Sequence, residues 1–468
     1  MIRQSLVKSF VAHRGRVPAP LAVAIVTGSL VAVPNFVASD ASGSPAAAAE
    51  MSPQASETQN TTHLALPFEI PQLQLPAPKL SSEHGAGPEH SPLSSIGASP
   101  QHHAGAPVPQ PFDVSYLTGY VSDVSSYQYG IYYEVVREFK DLRSNHPEVM
   151  QKNLNIVAEY NNNAHQQRVD KAIRDALADK DGVLFTAAEA LGDEFGRHFL
   201  AALQEKRLPK TEFLLGNGYA ARAGGIASWG RAEKLLFNND RPFVQAPERI
   251  QRHESPERAL YDGSSKSFPS GHTNQATWIT TLLAMMLPEV GTQLLARGSE
   301  AGESRLVMGV HFPLDVIGGR MTGQAAAADR WNDPKMRDAL LQAREEIVAE
   351  MEWRAGKPFA EMIAEDSHAL SDQQAEADYT RRMTYGFTPI FATDEPVNVP
   401  TAAPALLETR FPELSYEQRA EVLRHTALPS GYPLDDRDPA KGDWQRINLA
   451  RAWNAQVSID AGGEVVVK

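Results

Sequence analysis

From Phe112 onward the apolar residues of this chain recur at helical spacing, and no run of alternating apolar and polar residues appears through residue 330. That constraint removes sheet-based architectures for the stretch, because a half-buried strand alternates residue by residue whereas a helix repeats on every third or fourth. Val169, Ile173 and Leu177 share one face, with Lys and Asp residues opposite. Thr186 is a candidate cap for a helix carrying Leu191, Phe195 and Phe199. Between Asn274 and Leu287, Trp278, Ile279, Leu282, Leu283 and Met286 form another apolar stripe. The expected fold class is all-α, a helical bundle with an added, mostly helical and irregular C-terminal extension.

Composition divides the 468 residues into four parts. Residues 1–39 read as a bacterial-type export signal: Arg3, Lys8, Arg14 and Arg16 precede an apolar Leu21–Val33 run, and small residues follow around Ala38, Ser39 and Ala41. The long basic region leaves an uncleaved anchor open as the alternative. Either way a secreted, periplasmic or cell-envelope location is expected. Residues 40–111, rich in Ala, Pro and Ser with scattered histidines, bury too little apolar surface to offset chain entropy and read as a disordered linker. Residues 112–332 form the expected chemical domain, and residues 333–468 an extension whose candidate roles are a lid, a dimer surface or a wall-binding module. In the extension, a charged helical stretch runs from Pro334 to about Trp353, and Trp444–Trp453 has an amphipathic helical pattern. After the signal no stretch has the length of a membrane span; the best, Thr277–Leu287, stops at Pro288, so no integral membrane domain is expected. The chain has no cysteine, which excludes disulfides and thiolate chemistry, and its net charge of −13 argues against a nucleic-acid surface.

Within this acidic chain three short motifs concentrate cations and histidines. They are Lys234-x6-Arg241-Pro242, then Pro269-Ser270-Gly271-His272, then Ser304-Arg305-x5-His311-x3-Asp315. A phosphate monoester carries about two negative charges near neutral pH, and its transferring group spreads charge over three oxygens. Lys234, Arg241 and Arg305 supply matching charge, the arginines as planar forks and the lysine as a point charge. Ser270 adds a hydroxyl, Gly271 lets the backbone approach closely, and the helix expected to start just after His272 aims N–H groups at the anion. Pro313 suits a first helical position, which puts His311 at the mouth of a helix and Asp315 in its first turn. Asp315 would then hold one imidazole nitrogen of His311 and leave the other to attack phosphorus. His272 would protonate the leaving alcohol and later activate water, which predicts an acid-shifted bell of rate against pH. Gly318 and Gly319 would permit close helix packing.

The order and spacing of these motifs resemble the type 2 phosphatidic-acid phosphatase (PAP2) and vanadium haloperoxidase superfamily. The stretches Gly263–Thr273 and Ser304–Arg320 are similar to those of bacterial class A non-specific acid phosphatases. The resemblance implies an all-α fold with the site at one end of a bundle. It implies phosphate contacts from Lys234, Arg241, Ser270, Gly271 and Arg305, with His311 as phosphorylated nucleophile, Asp315 as its partner and His272 as acid. The implied activity is metal-independent hydrolysis of small-molecule phosphate monoesters, with no cofactor and with vanadate binding only as a phosphate mimic. Two alternatives share the pocket: a vanadium-dependent haloperoxidase, with His311 as the metal ligand, and a soluble phosphatase of lipid phosphates or pyrophosphates.

Overall fold

The computed structural model describes residues 99–468, except 124, 128–131, 217–220, 226–227, 229 and 439–440. The export signal and most of the expected linker lie outside the described residues. Four helices lead the chain: α1 (Phe139–Asn145), α2 (Pro147–Asn162), α3 (Gln166–Asp181) and α4 (Val183–Ala187). Then come α5 (Asp193–Gln204), α6 (Pro209–Leu215), α7 (Arg231–Phe237) and α8 (Pro242–Gln245). Thr186 lies inside α4 and caps nothing; α5 begins at Asp193. Its free N–H groups at Glu194 and Phe195 are taken by the Asp366 carboxylate at 2.9 and 2.8 Å. A cap supplied from so far along the chain leaves no local signal.

Three helices form the centre: α9 (Gly271–Met286), α10 (Gly291–Val307) and α11 (Pro313–Asn332). Every residue of α9 except His272 is buried, and every residue of α11 except Asn332. The apolar stripe on α9 is therefore part of a helix enclosed on all sides, where polar residues such as Asn274 and Thr280 bond to neighbouring helices or to their own carbonyls. Leu287 and Pro288 stop α9, and α10 turns back at 120°. Among the described residues no single helix is long and apolar enough to cross a membrane.

The extension continues as α12 (Pro334–Ala355), α13 (Phe359–Glu365), α14 (Asp372–Arg382), α15 (Tyr416–Thr426) and α16 (Leu449–Asn454). It closes with an antiparallel hairpin of β1 (Val457–Ile459) and β2 (Val465–Val467) that pairs Val457 with Val467. Only Leu449–Asn454 of the amphipathic Trp444–Trp453 stretch is helical, because Asn448 caps the helix by accepting from Arg451 N–H at 3.1 Å. The extension covers the central helices. Trp331 at the end of α11 donates to Glu408 at 3.0 Å, and Arg320 on α11 donates to the carbonyls of Gln445 and Ile447 at 2.8 and 3.3 Å. Residues 99–111, placed by composition in the linker, also make specific contacts. Buried Arg207 holds the Gln101 and Pro107 carbonyls at 2.7 and 2.8 Å while pairing with Glu350.

A chain ending at Asn332 is expected to lose its cooperative thermal transition, since α10 and α11 would expose buried apolar surface and Arg320 would lose its acceptors. Calorimetry on that truncation, beside the whole chain, checks this; a sharp transition at an unchanged temperature would show the cover to be dispensable.

Candidate active site

His311 lies in the turn that joins the end of α10 to the start of α11. The turn needs Gly309, which sits at φ +64°, and a Cβ there would fall 2.3 Å from Ile250 Cγ2. Phe312 is extended, as the residue before a proline prefers, and Pro313 occupies the first helical position. The next free N–H, of Leu314, donates to buried Asn153 on α2 at 3.0 Å. Asp315 reaches back to accept the Phe312 N–H at 2.8 Å, which turns its carboxylate toward His311. His311 Nδ1 lies 3.2 Å from Asp315 Oδ2, and both side chains are buried.

The other nitrogen, Nε2, lies 3.1 Å from Arg241 Nη1. A guanidinium only donates, so Nε2 is an acceptor and the ring proton sits on Nδ1, donated to Asp315. The geometry thus selects the tautomer with a lone pair on Nε2.

Ser270 caps α9: its Oγ accepts from Thr273 N–H and Oγ1 at 3.3 and 2.9 Å, leaving its own hydrogen to donate. The helix begins at Gly271, so His272 sits in the first turn rather than ahead of the helix, because the Ser270 cap starts it earlier. The Ser270 N–H donates to the Asp315 carbonyl at 2.9 Å. This approach of α9 to α11 is possible because Gly319 has no side chain; a Cβ there would fall 2.6 Å from the Ser270 carbonyl oxygen.

The cations come from three different elements. Lys234 on α7 donates through Nζ to the carbonyls of Lys266 and Ser267, both at 2.9 Å. Arg241, just ahead of α8, is held by the Ser265 carbonyl at 2.8 Å and the Val310 carbonyl at 2.9 Å. Arg305 is buried in the last turn of α10. His272 is half-buried, with Nε2 3.3 Å from the Ala176 carbonyl of α3.

Burial first, then the charges of Arg241, Lys234, Arg305 and His272, holds His311 well below the ordinary histidine value. That shift favours the neutral imidazole. Burial, aided by Arg241 and Arg305 and opposed by Asp315, lowers Lys234 to about 7. Burial pushes the Asp315 carboxyl up to about 7, against the Phe312 N–H, Lys234 and Arg241, which pull it down. The pocket thus crowds like charges that a bound dianion would relieve. Among the described residues no group of three or more His, Asp or Glu side chains is arranged to hold a metal ion.

All eight motif residues fall at the pole where α9 and α11 begin and α10 ends. Their supports were not visible in the motifs. Asn153 pins the start of α11. Asn239 donates to Ser267 Oγ at 2.9 Å, and Ser267 Oγ in turn faces Asp315 Oδ1 at 3.4 Å. Ser267 could have been suspected, since it lies within the Gly263–Thr273 stretch; Asn153 and Asn239 are isolated polar residues with no spacing signal.

The arrangement is that of an all-α bundle with a buried histidine–aspartate pair and three cations gathered at one pole. Residues 213–337 match the PAP2 superfamily. The chain is 33% identical over 147 residues to the "Non-specific acid phosphatase" of Salmonella typhi, an alignment covering 31% of this chain and 56% of that one. With the "Non-specific acid phosphatase" of Providencia stuartii it shares 30% identity over 175 residues, 37% of this chain and 67% of the other. The "Decaprenylphosphoryl-5-phosphoribose phosphatase" of Mycolicibacterium smegmatis is 32% identical over 152 residues, covering 32% and 77%. The chain belongs to the PAP2 superfamily, and it spans 56% of the length of the Salmonella typhi relative.

Two outcomes are expected from this geometry. Gly319→Ala should destabilise the fold by about 1–3 kcal/mol through overpacking and weaken anion binding, both read from thermal melts with and without sulfate. Sulfate, whose charge is fixed over this range, should bind tightly below pH 7 and progressively more weakly as Lys234 loses its proton through about 7. Lys234→Met should bind weakly and keep only the part of that step that ionisation of Asp315 through about 7 contributes; titration calorimetry at several pH values reads both.

Proposed function

We propose that this protein is an exported, metal-independent acid phosphatase that hydrolyses phosphate monoesters through a phosphohistidine at His311. The observation that carries the reading is the position of His311 between Asp315 at 3.2 Å and Arg241 at 3.1 Å, which leaves a lone pair on Nε2 among three cations. Membership of the PAP2 superfamily and relatives named as non-specific acid phosphatases support it. The export part rests on the composition of residues 1–39 alone.

In the first step Nε2 attacks phosphorus as the bond to the ester oxygen breaks, and His272 gives that oxygen its proton, so an alcohol leaves. The electron pair of Nε2 becomes the P–N bond, and Asp315 stabilises the positive ring. In the second step neutral His272 takes a proton from water, whose oxygen attacks phosphorus. The P–N bond breaks, its pair returns to Nε2, and inorganic phosphate departs. Lys234, Arg241, Arg305, the Ser270 hydroxyl and the α9 N-terminus hold the oxygens throughout. Cations crowded in this way repel a divalent metal and supply the charge it would bring. Burial and the cations favour the neutral imidazole at His311, His272 and Lys234 need their protons, and Asp315, raised to about 7, must lose its own to hold the ring, so the rate should follow a bell against pH.

One observation favours a second reading, an amphiphilic phosphate substrate. Leu235, Leu236 and Val244 are 73, 60 and 42% exposed, and they adjoin Lys234 and Arg241 in sequence. The Mycolicibacterium smegmatis relative is named for a decaprenylphosphoryl compound.

Hydrolysis of an aryl phosphate in EDTA tests the first reading. His311→Ala should lower kcat by ~10³-fold or more, and acid-labile phosphoprotein should be trapped only with His311 present. Wild-type turnover by His311→Ala would reject the mechanism; inactivity toward phosphates, with halide oxidation after loading with vanadate and peroxide, would reject the activity. His272→Ala should slow poor leaving groups by ~10²–10⁴-fold and spare good ones; equal losses would reject its role as acid. Preference for a prenyl over an aryl phosphate, lost in Leu235→Ser with Leu236→Ser, would select the amphiphilic reading.

A further inference from the structure

Ser304 stands beside Arg305 in the third motif but takes no part in the two steps of phosphate transfer. Its side chain is buried and turned to α3, where its hydroxyl donates to Asp175 Oδ2 at 2.6 Å and accepts from Arg168 Nη1 at 2.9 Å. Asp175 is buried too, and Arg297 of α10 pairs with both of its oxygens. Burial raises the Asp175 carboxyl, but the Arg297 charge and the bonds from Arg297 and Ser304 outweigh it and hold the group below the ordinary carboxylate value. Asp175 is therefore an ionised side chain at the contact of two helices.

A polar strip runs along that contact. Arg168, Lys171 and Asp175 share one face of α3, and Arg297, Glu300 and Ser304 share one face of α10. Lys171 meets Glu300 at 2.7 Å, one turn from the Asp175 pair. Apolar packing sets how close two helices lie, whereas directional charged bonds set how far one has slid along the other. The register matters because of the residue that follows each partner. After Ser304 comes Arg305, a cation of the pocket. After Asp175 comes Ala176, whose carbonyl lies 3.3 Å from His272 Nε2. A carbonyl only accepts, so Nε2 carries a hydrogen in this contact. Arg258 donates to the same carbonyl. α3 contributes no motif residue, yet it meets the acid of the proposed mechanism.

We propose that Asp175 and Ser304 are positioning residues for the reaction: their hydrogen bond locks the register of α3 on α10 and so sets the place of His272 relative to Arg305. The inference rests on the roles given above to His272 as acid and Arg305 as phosphate contact. A carboxylate suits the task, since one of its oxygens can take Ser304 while Arg297 holds both. Arg297 also bonds the Thr186 carbonyl at 3.1 Å and Glu189 at 3.2 Å, so it stays anchored when the Asp175 charge is removed.

The test compares Asp175→Asn and Ser304→Ala with the wild type, all as full chains, in hydrolysis of a nitrophenyl and an alkyl phosphate and in inhibition by inorganic phosphate. A loosened register should cost the acid more than the nucleophile, because His272 meets α3 and His311 does not. Asp175→Asn is expected to lower kcat on the order of tenfold more for the alkyl than for the nitrophenyl ester, and to weaken phosphate inhibition about threefold. Ser304→Ala, which removes no charge, should shift both in the same direction by less, and it carries the test should Asp175→Asn not fold. The double variant should be no worse than Asp175→Asn alone, as for two residues acting through one bond. Glu350→Gln, which weakens the buried Arg207–Glu350 pair, is the control: Tm should fall while the ratio of the two esters stays. Equal losses for the two esters in the positioning variants, following Tm as in the control, would overturn the inference and leave the bond merely structural. A wild-type chain inactive toward both esters would instead overturn the phosphatase reading. Phosphate affinity by titration calorimetry then decides the bond's role, and an affinity unchanged in both variants would overturn it.

Discussion

The Ser270 N–H donates to the Asp315 carbonyl where α9 and α11 begin, and the rest of the site is hung on that junction. It fixes the serine cap, the first amides of α9 and the carboxylate that orients His311 as one rigid piece. The junction tolerates nothing between the helices, since the Ser270 carbonyl occupies the space of a Gly319 side chain. Because both helices are buried almost throughout, their relative position is set by packing in a dense core and not by the loops above it. The cations, by contrast, arrive on short helices and turns, each fixed by backbone carbonyls: Lys234 by Lys266 and Ser267, Arg241 by Ser265 and Val310. Neutral acceptors hold these charges in place without cancelling them.

The electrostatics follow from burial and from the crowding of like charges. Burial first, then the repulsion of neighbouring cations, depresses the proton affinity of Lys234 and His311. At His311 the two together favour the neutral imidazole.

Much of this was legible in the sequence, for physical reasons that vary by residue. Pro313 marked the start of α11 because proline is suited to one helical position, and the His311–Asp315 spacing followed from it. The all-α class was readable because helical periodicity is carried by many residues at once. Thr186 misled because the cap of α5 is Asp366, distant in sequence and near only after folding. Asn153 and Asn239 were invisible for the same reason: each supports the site through one hydrogen bond made across the fold. The start of α9 lies at Gly271, ahead of the start expected after His272, because the Ser270 hydroxyl caps the helix.

The extension, whose role composition left open, is structural cover at the least. Arg320 and Gln324 reach from α11 to the Ile447 carbonyl, and Trp331 to Glu408. Through these contacts the back of the helix that carries Asp315 is sealed by residues far beyond the motifs. Since α11 is buried along nearly its whole length, a bundle of α1–α11 alone would present one of its three central helices to solvent. The cationic pocket is assembled by residues 234–315, but the cover over the back of α11 is supplied from residues 403–447. A change in the extension can therefore reach the site without touching a motif residue, by loosening the frame on which Asp315 and His311 are set.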